Sequence, residues 1–140
     1  MSFKKLKQRI KHNEGYSEKP YKDKLGFDTV GFGHLIKPNE KKYFKKSFSK
    51  KYFEIIFDQD FARALSHYEA LFYKKNHNKK EKELLIEMLF QLGPKGVVKF
   101  KKMLFHLNNK NKYMVSLEMM DSLWYKQTPK RVENLIKHYI

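Results

Sequence analysis

Cysteine is absent from the 140 residues. A disulfide framework and a thiolate metal site are therefore excluded, and nothing in the chain depends on an oxidising compartment. Long apolar runs are also missing. No stretch approaches the roughly 18 residues of a membrane span, and charges break up the opening Met1-Ser2-Phe3-Lys4-Lys5-Leu6-Lys7-Gln8-Arg9-Ile10 too often for a secretory apolar segment. The expectation is a product made and held in the cytoplasm. Negative charge is scarce, with 15 Asp and Glu against 31 Lys and Arg, for a net +16. Arginine is scarcer still, confined to Arg9, Arg63 and Arg131. Base-reading proteins rely on the planar Arg fork, so specific nucleic-acid recognition is not expected. A diffuse lysine field suits loose, salt-sensitive attraction to nucleic acid, an acidic membrane face or an anionic cell wall, or is simply a solvated surface. What is present is ordinary globular material: 41% hydrophobic and 16% aromatic residues. At this length about 68–70% of the unfolded chain's surface can be buried.

Apolar periodicity predicts a first helix over 3–13, with Phe3, Leu6 and Ile10 on one face, Ser2 as cap and Gly15 as stop. Between Lys19 and Ile36 the texture changes to Tyr21, Phe27, Thr29, Val30 and Phe32 among Pro20, Gly26, Gly31 and Gly33, the pattern of a small antiparallel meander. Residues 37–49 read as a loop or weak helical turn. Ser49 is placed to cap a long helix to about Tyr73, with Phe53, Ile56, Phe57, Phe61, Ala64, Leu65, Tyr68 and Leu71 as its apolar stripe. A charged connector over 74–82 precedes a helix from Glu83 to Leu92 that Gly93 ends. Pro94 starts the next, through about His106. Further helices are predicted from Lys112 to Tyr125 and, capped by Thr128 with Pro129 in its first turn, to the terminus. The fold class is α+β, mainly α. It comprises one domain over 1–140: a β-containing lobe over 1–48, a connecting helix over 49–73, and a helical lobe over 74–140 together with helix 3–13.

Two carboxylates and a hydroxyl stand out in the first lobe: Glu14 at a helix end, Asp23 beside the first strand, and Thr29 ahead of Gly31-Phe32-Gly33-His34. Inverting cleavage of a glycosidic bond needs an acid on the leaving oxygen and a base activating water on the other face, with carboxyls roughly 6.5–9.5 Å apart. The negative end of the helix dipole favours the protonated form of Glu14, while Lys22 and Lys24 favour ionised Asp23. Thr29 can hold the attacking water if it faces the cleft. On spacing alone each residue has an ordinary reading as well: a solvated glutamate, a turn former and a strand threonine. His34 reads as a polar residue bonded to a nearby carboxylate. The six histidines form no ligand-spaced motif, so no metal is expected.

Glu14-Gly15, Tyr21-Lys22-Asp23, Thr29 to Leu35, Phe90 to Gly93 and Trp124 to Arg131 resemble, in order, the T-even-type bacteriophage lysozymes. That resemblance implies the lysozyme-like fold and a cofactor-free muramidase that cuts the β-1,4 bond between N-acetylmuramic acid and N-acetylglucosamine with inversion. It makes the protein an endolysin that lyses the host cell and releases virions. Glu14 matches the general acid, Asp23 the second carboxylate and Thr29 the water-positioning hydroxyl. Leu35 and Phe90 match sugar-contacting positions, although core packing is an equal reading for Phe90. Arg131 matches an arginine reaching the acid from the last helix, and this opposes the dipole's effect on Glu14. His34 matches a histidine paired with an aspartate on the connecting helix, for which Asp60 is the candidate. Gln91 and Trp124 match a hydrogen-bonded pair.

The departures are specific. Residues 37–55 have no match, Met103 stands for a small hydroxyl residue, Glu118 for a sugar-contacting asparagine, and Asn13 for a common aspartate. The chain also ends at Ile140 without the family's short tail. The expected partners are peptidoglycan strands and the anionic wall, met by a monomer whose lysine-rich face concentrates it there. A holin is needed functionally, without direct contact. Two rivals remain at this point: a non-catalytic basic binding module, and an amphipathic protein acting on membranes through its helices.

Overall fold

The computed structural model describes residues 3–140, so the predicted Ser2 cap lies outside the described residues. The chain divides after Ala62 into two compact units.

In the first unit, α1 (Lys4–Glu14) buries Leu6 and Ile10 completely, four residues apart on one face. It stops where the Gly15 N–H bonds back to the Lys11 carbonyl. The meander follows as β1 (Ser17–Lys22), β2 (Asp28–Gly31) and β3 (His34–Leu35), an antiparallel sheet in the order β1-β2-β3. The register sets Tyr21 opposite Thr29, Thr29 opposite Leu35, and Val30 opposite His34. The stretch left open between loop and helical turn contains one short turn, α2 (Lys42–Lys45), ahead of α3 (Lys50–Phe72). Ser49 does cap α3, its Oγ accepting the Tyr52 N–H at 3.1 Å.

The part of α3 in this unit buries Phe53, Phe57 and Phe61 at four-residue spacing. Their rings meet others at tilted or edge-on angles: Phe53 meets Tyr16 and Tyr43, Phe57 meets Phe32, and Phe61 meets Phe3. The Lys11 ammonium lies over Phe32 and Phe57, 5.1 and 5.0 Å from their centroids. The predicted stripe differs at its end, where Phe72 is buried and Leu71 is exposed. Counting at 3.6 residues per turn from Ala64 and Tyr68 brings position 72, not 71, back to the buried face.

In the second unit, α4 (Lys79–Val97), α5 (Lys101–Asn108), α6 (Lys112–Met120), α7 (Leu123–Gln127) and α8 (Pro129–Tyr139) follow one another, and α8 packs against α4, α6 and α7. α4 begins four residues earlier than predicted. Asn78 and Glu81 form a reciprocal capping box inside what reads as a charged connector. The break at Gly93 is real, with φ 73° and ψ 170° inside the helix. The helix predicted from Pro94 to His106 is interrupted at residues 98–100, and the one from Lys112 to Tyr125 is two helices. Ser122 divides the latter pair: extended itself, it accepts the Tyr125 N–H on its Oγ and starts α7. Thr128 precedes the last helix as expected, but its hydroxyl donates backwards to the Trp124 carbonyl at 3.0 Å and makes no side-chain cap.

Candidate active site

In an antiparallel pair, directly opposite residues project from the same face of the sheet. Tyr21, Thr29 and Leu35 therefore form one row across all three strands, and Val30 and His34 point to the other side. His34 meets Asp60 of α3 on that second side, which fixes the first as the face turned away from this α3 contact.

Glu14, the last residue of α1, is set against the turn between β2 and β3. A Cβ added to Gly33 would lie 2.6 Å from Glu14 Oε1, and Gly33 has φ +75°. Glycine is needed there twice over: for a backbone conformation that disfavours side chains, and for the close approach of the carboxylate. At the other end of the same turn, Gly31 (φ +65°) admits the Phe53 ring where a Cβ would collide. The Gly31-Phe32-Gly33 spacing thus seats one core ring and one carboxylate.

Asp23 lies in the turn after β1. Its Oδ1 accepts the N–H groups of Leu25 and Phe27, each at 2.9 Å, and its own N–H bonds to the Phe27 carbonyl. It is a turn former in its bonding, and one carboxylate oxygen is committed to that turn. Lys22, expected beside Asp23, instead pairs across the strands with Asp28 at 2.9 Å, its register partner. Thr29 is 2% exposed, and its hydroxyl donates to the Phe27 carbonyl at 2.8 Å, leaving the oxygen's acceptor capacity. Tyr21 belongs with these residues although spacing alone assigned it no role. Burial raises its phenol above the ordinary value, and the charges of Glu14 and Asp23 raise it further. Both carboxylates therefore act on one phenol in this unit.

His34 Nδ1 lies 2.8 Å from Asp60 Oδ2, the expected partner, and Nε2 lies 3.0 Å from Glu40 Oε1, which was not foreseen. Glu40 Oε1 also accepts the Lys37 N–H, and Tyr43 sets its ring edge-on to the imidazole. Burial by itself lowers the imidazole's pKa, but the bonds and charges of Asp60 and Glu40 prevail and raise it. Burial likewise opposes Glu40 ionisation, and it is overcome by the Lys37 N–H and by His34, so that carboxyl is lowered.

Among the residues of the second unit, Phe90 is half-buried on α4. The Arg131 Nε meets Glu87 Oε2 at 3.3 Å, with side-chain exposures of 9% and 2%. Glu87 sits in an otherwise apolar run, Leu84-Leu85-Ile86 before it and Met88-Leu89 after it, all buried. A carboxylate at such a position was the sequence signal for a buried basic partner. The expected Gln91–Trp124 bond is not made: Gln91 Oε1 and Trp124 Nε1 are both buried without a hydrogen-bond partner, and the indole packs edge-on against Phe100. Met103 and Glu118, two of the departures from the resemblance, line one cavity of about 410 Å³ together with Phe100, Asp121 and three lysines.

Among the described residues no group of three His, Asp or Glu could hold a metal ion, and no helix is long and apolar enough to cross a membrane. The phage lysozyme family model matches residues 11–138. Two relatives from Dictyostelium discoideum, named probable T4-type lysozyme 2 and probable T4-type lysozyme 1, are 33% and 30% identical to this chain. Each alignment covers 94% of this chain and 91% of the relative. A match over nearly the whole length, on a mainly helical α+β fold with a three-stranded sheet, establishes that this chain belongs to the phage lysozyme family and is a glycoside hydrolase of the lysozyme type.

Proposed function

We propose that the enzyme cuts the β-1,4 bond between N-acetylmuramic acid and N-acetylglucosamine in peptidoglycan, with inversion at the anomeric carbon. Glu14 is the general acid that protonates the leaving oxygen. Asp23, through its carboxylate oxygen outside the turn, and Thr29, through its hydroxyl oxygen, hold the water that attacks from the opposite face. By the family resemblance Leu35 and Phe90 contact the sugar, and Arg131, His34 and Asp60 support the site. The observation that carries this reading is the seating of Glu14 against the Gly33 turn of the sheet, whose second strand carries Thr29 and whose first strand runs into the Asp23 turn. Proton donation from one side and water activation from the other require two such acids around one locus.

The biological setting follows as part of the same proposal. The enzyme is a cytoplasmic endolysin, monomeric and without a cofactor, that reaches the wall after a holin has opened the membrane and so lyses the host and releases virions. Its net charge of +16 concentrates it on anionic wall polymers. The test is turnover of purified peptidoglycan by the wild type and by Glu14→Gln at equal concentration. The amide has no proton to give, so clearing should fall by at least about a hundredfold. Retained clearing by the variant contradicts the assignment of the acid.

A further inference from the structure

We propose that the outer face of α2, formed by Lys41, Phe44 and Lys45, docks the protein on a bilayer surface that carries anionic lipid. The ammonium groups meet the charged headgroups, and the Phe44 ring enters the boundary between headgroups and acyl chains. This binding is separate from hydrolysis and does not depend on the roles assigned to Glu14 and Asp23.

The segment stands apart in composition. Residues 41–53 read Lys-Lys-Tyr-Phe-Lys-Lys-Ser-Phe-Ser-Lys-Lys-Tyr-Phe, with six lysines, five aromatic residues and no acid. They fall within 37–55, the stretch that the resemblance to the T-even-type lysozymes leaves unmatched. Elsewhere in the chain lysines find carboxylates: Lys7 lies against Asp58, Lys22 against Asp28 and Lys110 against Glu81. Among the described residues, none of the six lysines here is paired with one. Glu40, the acid just before the segment, is engaged by His34 and by the Lys37 N–H. Lys50 and Lys51 stand in the first turn of α3, which contains no acid. The positive end of a helix dipole opposes cations there, so helix stability does not account for them.

The geometry separates an inner from an outer side. Lys41 already has helical angles, φ −60° and ψ −16°. At 3.6 residues per turn, Lys41, Phe44 and Lys45 share one side of this turn and Tyr43 takes the other. Tyr43 is 3% exposed; its ring packs against His34 and Phe53, and its hydroxyl lies 3.0 Å from that of Tyr52. Phe44 is 56% exposed. Beside the turn, Phe48 stacks on Tyr52 with ring centroids 4.5 Å apart. Lys42 Nζ lies 6.0 Å from both of those centroids, and Lys46 Nζ lies 5.4 Å from that of Phe48. The cations are thus gathered on a packed aromatic base, with one ring left facing outward between two of them.

Charge and ring together select the occupant. An anionic wall polymer would satisfy the lysines but has no apolar layer to receive Phe44. Nucleic-acid readers lean on the arginine fork, and the segment contains no arginine. A bilayer with anionic headgroups answers both features, since clustered lysines are drawn to its surface and an apolar side chain between them gains by leaving water.

The experiment is cosedimentation of the full chain with phosphatidylcholine vesicles, alone or with about a third phosphatidylserine, at physiological salt. Wild type should bind the mixed vesicles and leave the neutral ones. Lys41→Gln with Lys45→Gln should weaken binding roughly fivefold per lysine, about twenty-five-fold for both. Lys79→Gln with Lys80→Gln, exposed positions in the first turn of α4, removes the same charge and should weaken it by less than about threefold. Equal weakening by the two double variants overturns the proposal, because net charge rather than this face would then be responsible. No binding by the wild type overturns it as well. Phe44→Trp leaves every charge in place and reports on insertion, since the one native tryptophan, Trp124, is 5% exposed. Its added emission should shift to the blue on the mixed vesicles and be quenched by brominated acyl chains; unshifted, unquenched emission contradicts entry of the ring. Tighter binding to a single-stranded oligonucleotide than to the mixed vesicles, lost in Lys41→Gln with Lys45→Gln, would assign the face to nucleic acid and overturn the proposal.

Discussion

Gly33 shows most directly how a single residue shapes this enzyme. A methyl group there would have to occupy space 2.6 Å from Glu14 Oε1 and 2.8 Å from its Cγ, on a backbone at φ +75°. Gly33→Ala should therefore cost about 1–3 kcal/mol of stability from the backbone alone. It should also lower kcat by far more than that loss explains at temperatures where the variant stays folded, because the proposed acid is displaced; thermal melts and turnover on the same preparation check both. An alanine variant with wild-type kcat contradicts the seating of Glu14 on this glycine. Part of this was legible in the sequence: Gly31-Phe32-Gly33 reads as a turn, and Gly15 as the stop that leaves Glu14 at a helix end. The seating itself was not, because local pattern says nothing about which carboxylate meets which turn. Glu87 is the converse case. A charged residue inside an apolar helix run announces a buried partner, but not that the partner is Arg131, 44 positions away.

Among the elements, β3 is held through His34, clamped between Asp60 on α3 and Glu40 in the segment before α2. A raised histidine pKa contributes stability that is complete below the unfolded value of 6.5 and is lost as pH rises through the folded value. A lowered glutamate pKa contributes stability that is complete above the unfolded value of 4.5 and is lost as pH falls through the folded value. The clamp is thus strongest between about pH 4.5 and 6.5. The difference in melting temperature between wild type and His34→Gln should be largest in that interval and shrink on either side; a difference independent of pH contradicts the clamp. The ends of elements reveal what sequence can and cannot give. Ser49 and Gly93 were readable because a capping hydroxyl and a helix-breaking glycine act on their own neighbours. The start of α4 was hidden by lysines that look like a linker, although Asn78 and Glu81 carried the capping-box spacing. The breaks at 98–100 and at Ser122 had no glycine or proline to mark them. Ser122 starts α7 by a local cap whose serine does not by itself distinguish a helix start from a mid-helix position.

Taken as a whole, the chain is a family lysozyme with an excess of lysine. If that field concentrates the enzyme on anionic wall polymers, hydrolysis of intact walls should fall steadily as salt rises from low to physiological ionic strength, where the screening length shrinks to about 8 Å. Hydrolysis of short soluble glycan fragments, which carry few charges, should change less. Equal salt dependence on both substrates, or none on walls, contradicts the proposed purpose of the charge. Fold class was legible from periodicity and turn chemistry, and the proposed site from residues grouped in the first unit, where Glu14, Asp23 and Thr29 lie near one another in sequence. The pairing of Glu87 with Arg131, 44 positions apart, and that of Glu40 with His34 across the loop after β3 emerged only from the folded chain.

In the proposed mechanism, protonation of the leaving oxygen and attack by water come from opposite sides of the bond. Proton NMR of the first product formed from a β-1,4-linked peptidoglycan fragment, recorded before mutarotation, tests it directly. Inversion gives the α anomer at the new reducing end. A β anomer would mean retention and would contradict the proposed division of labour between Glu14 and the water held by Asp23 and Thr29.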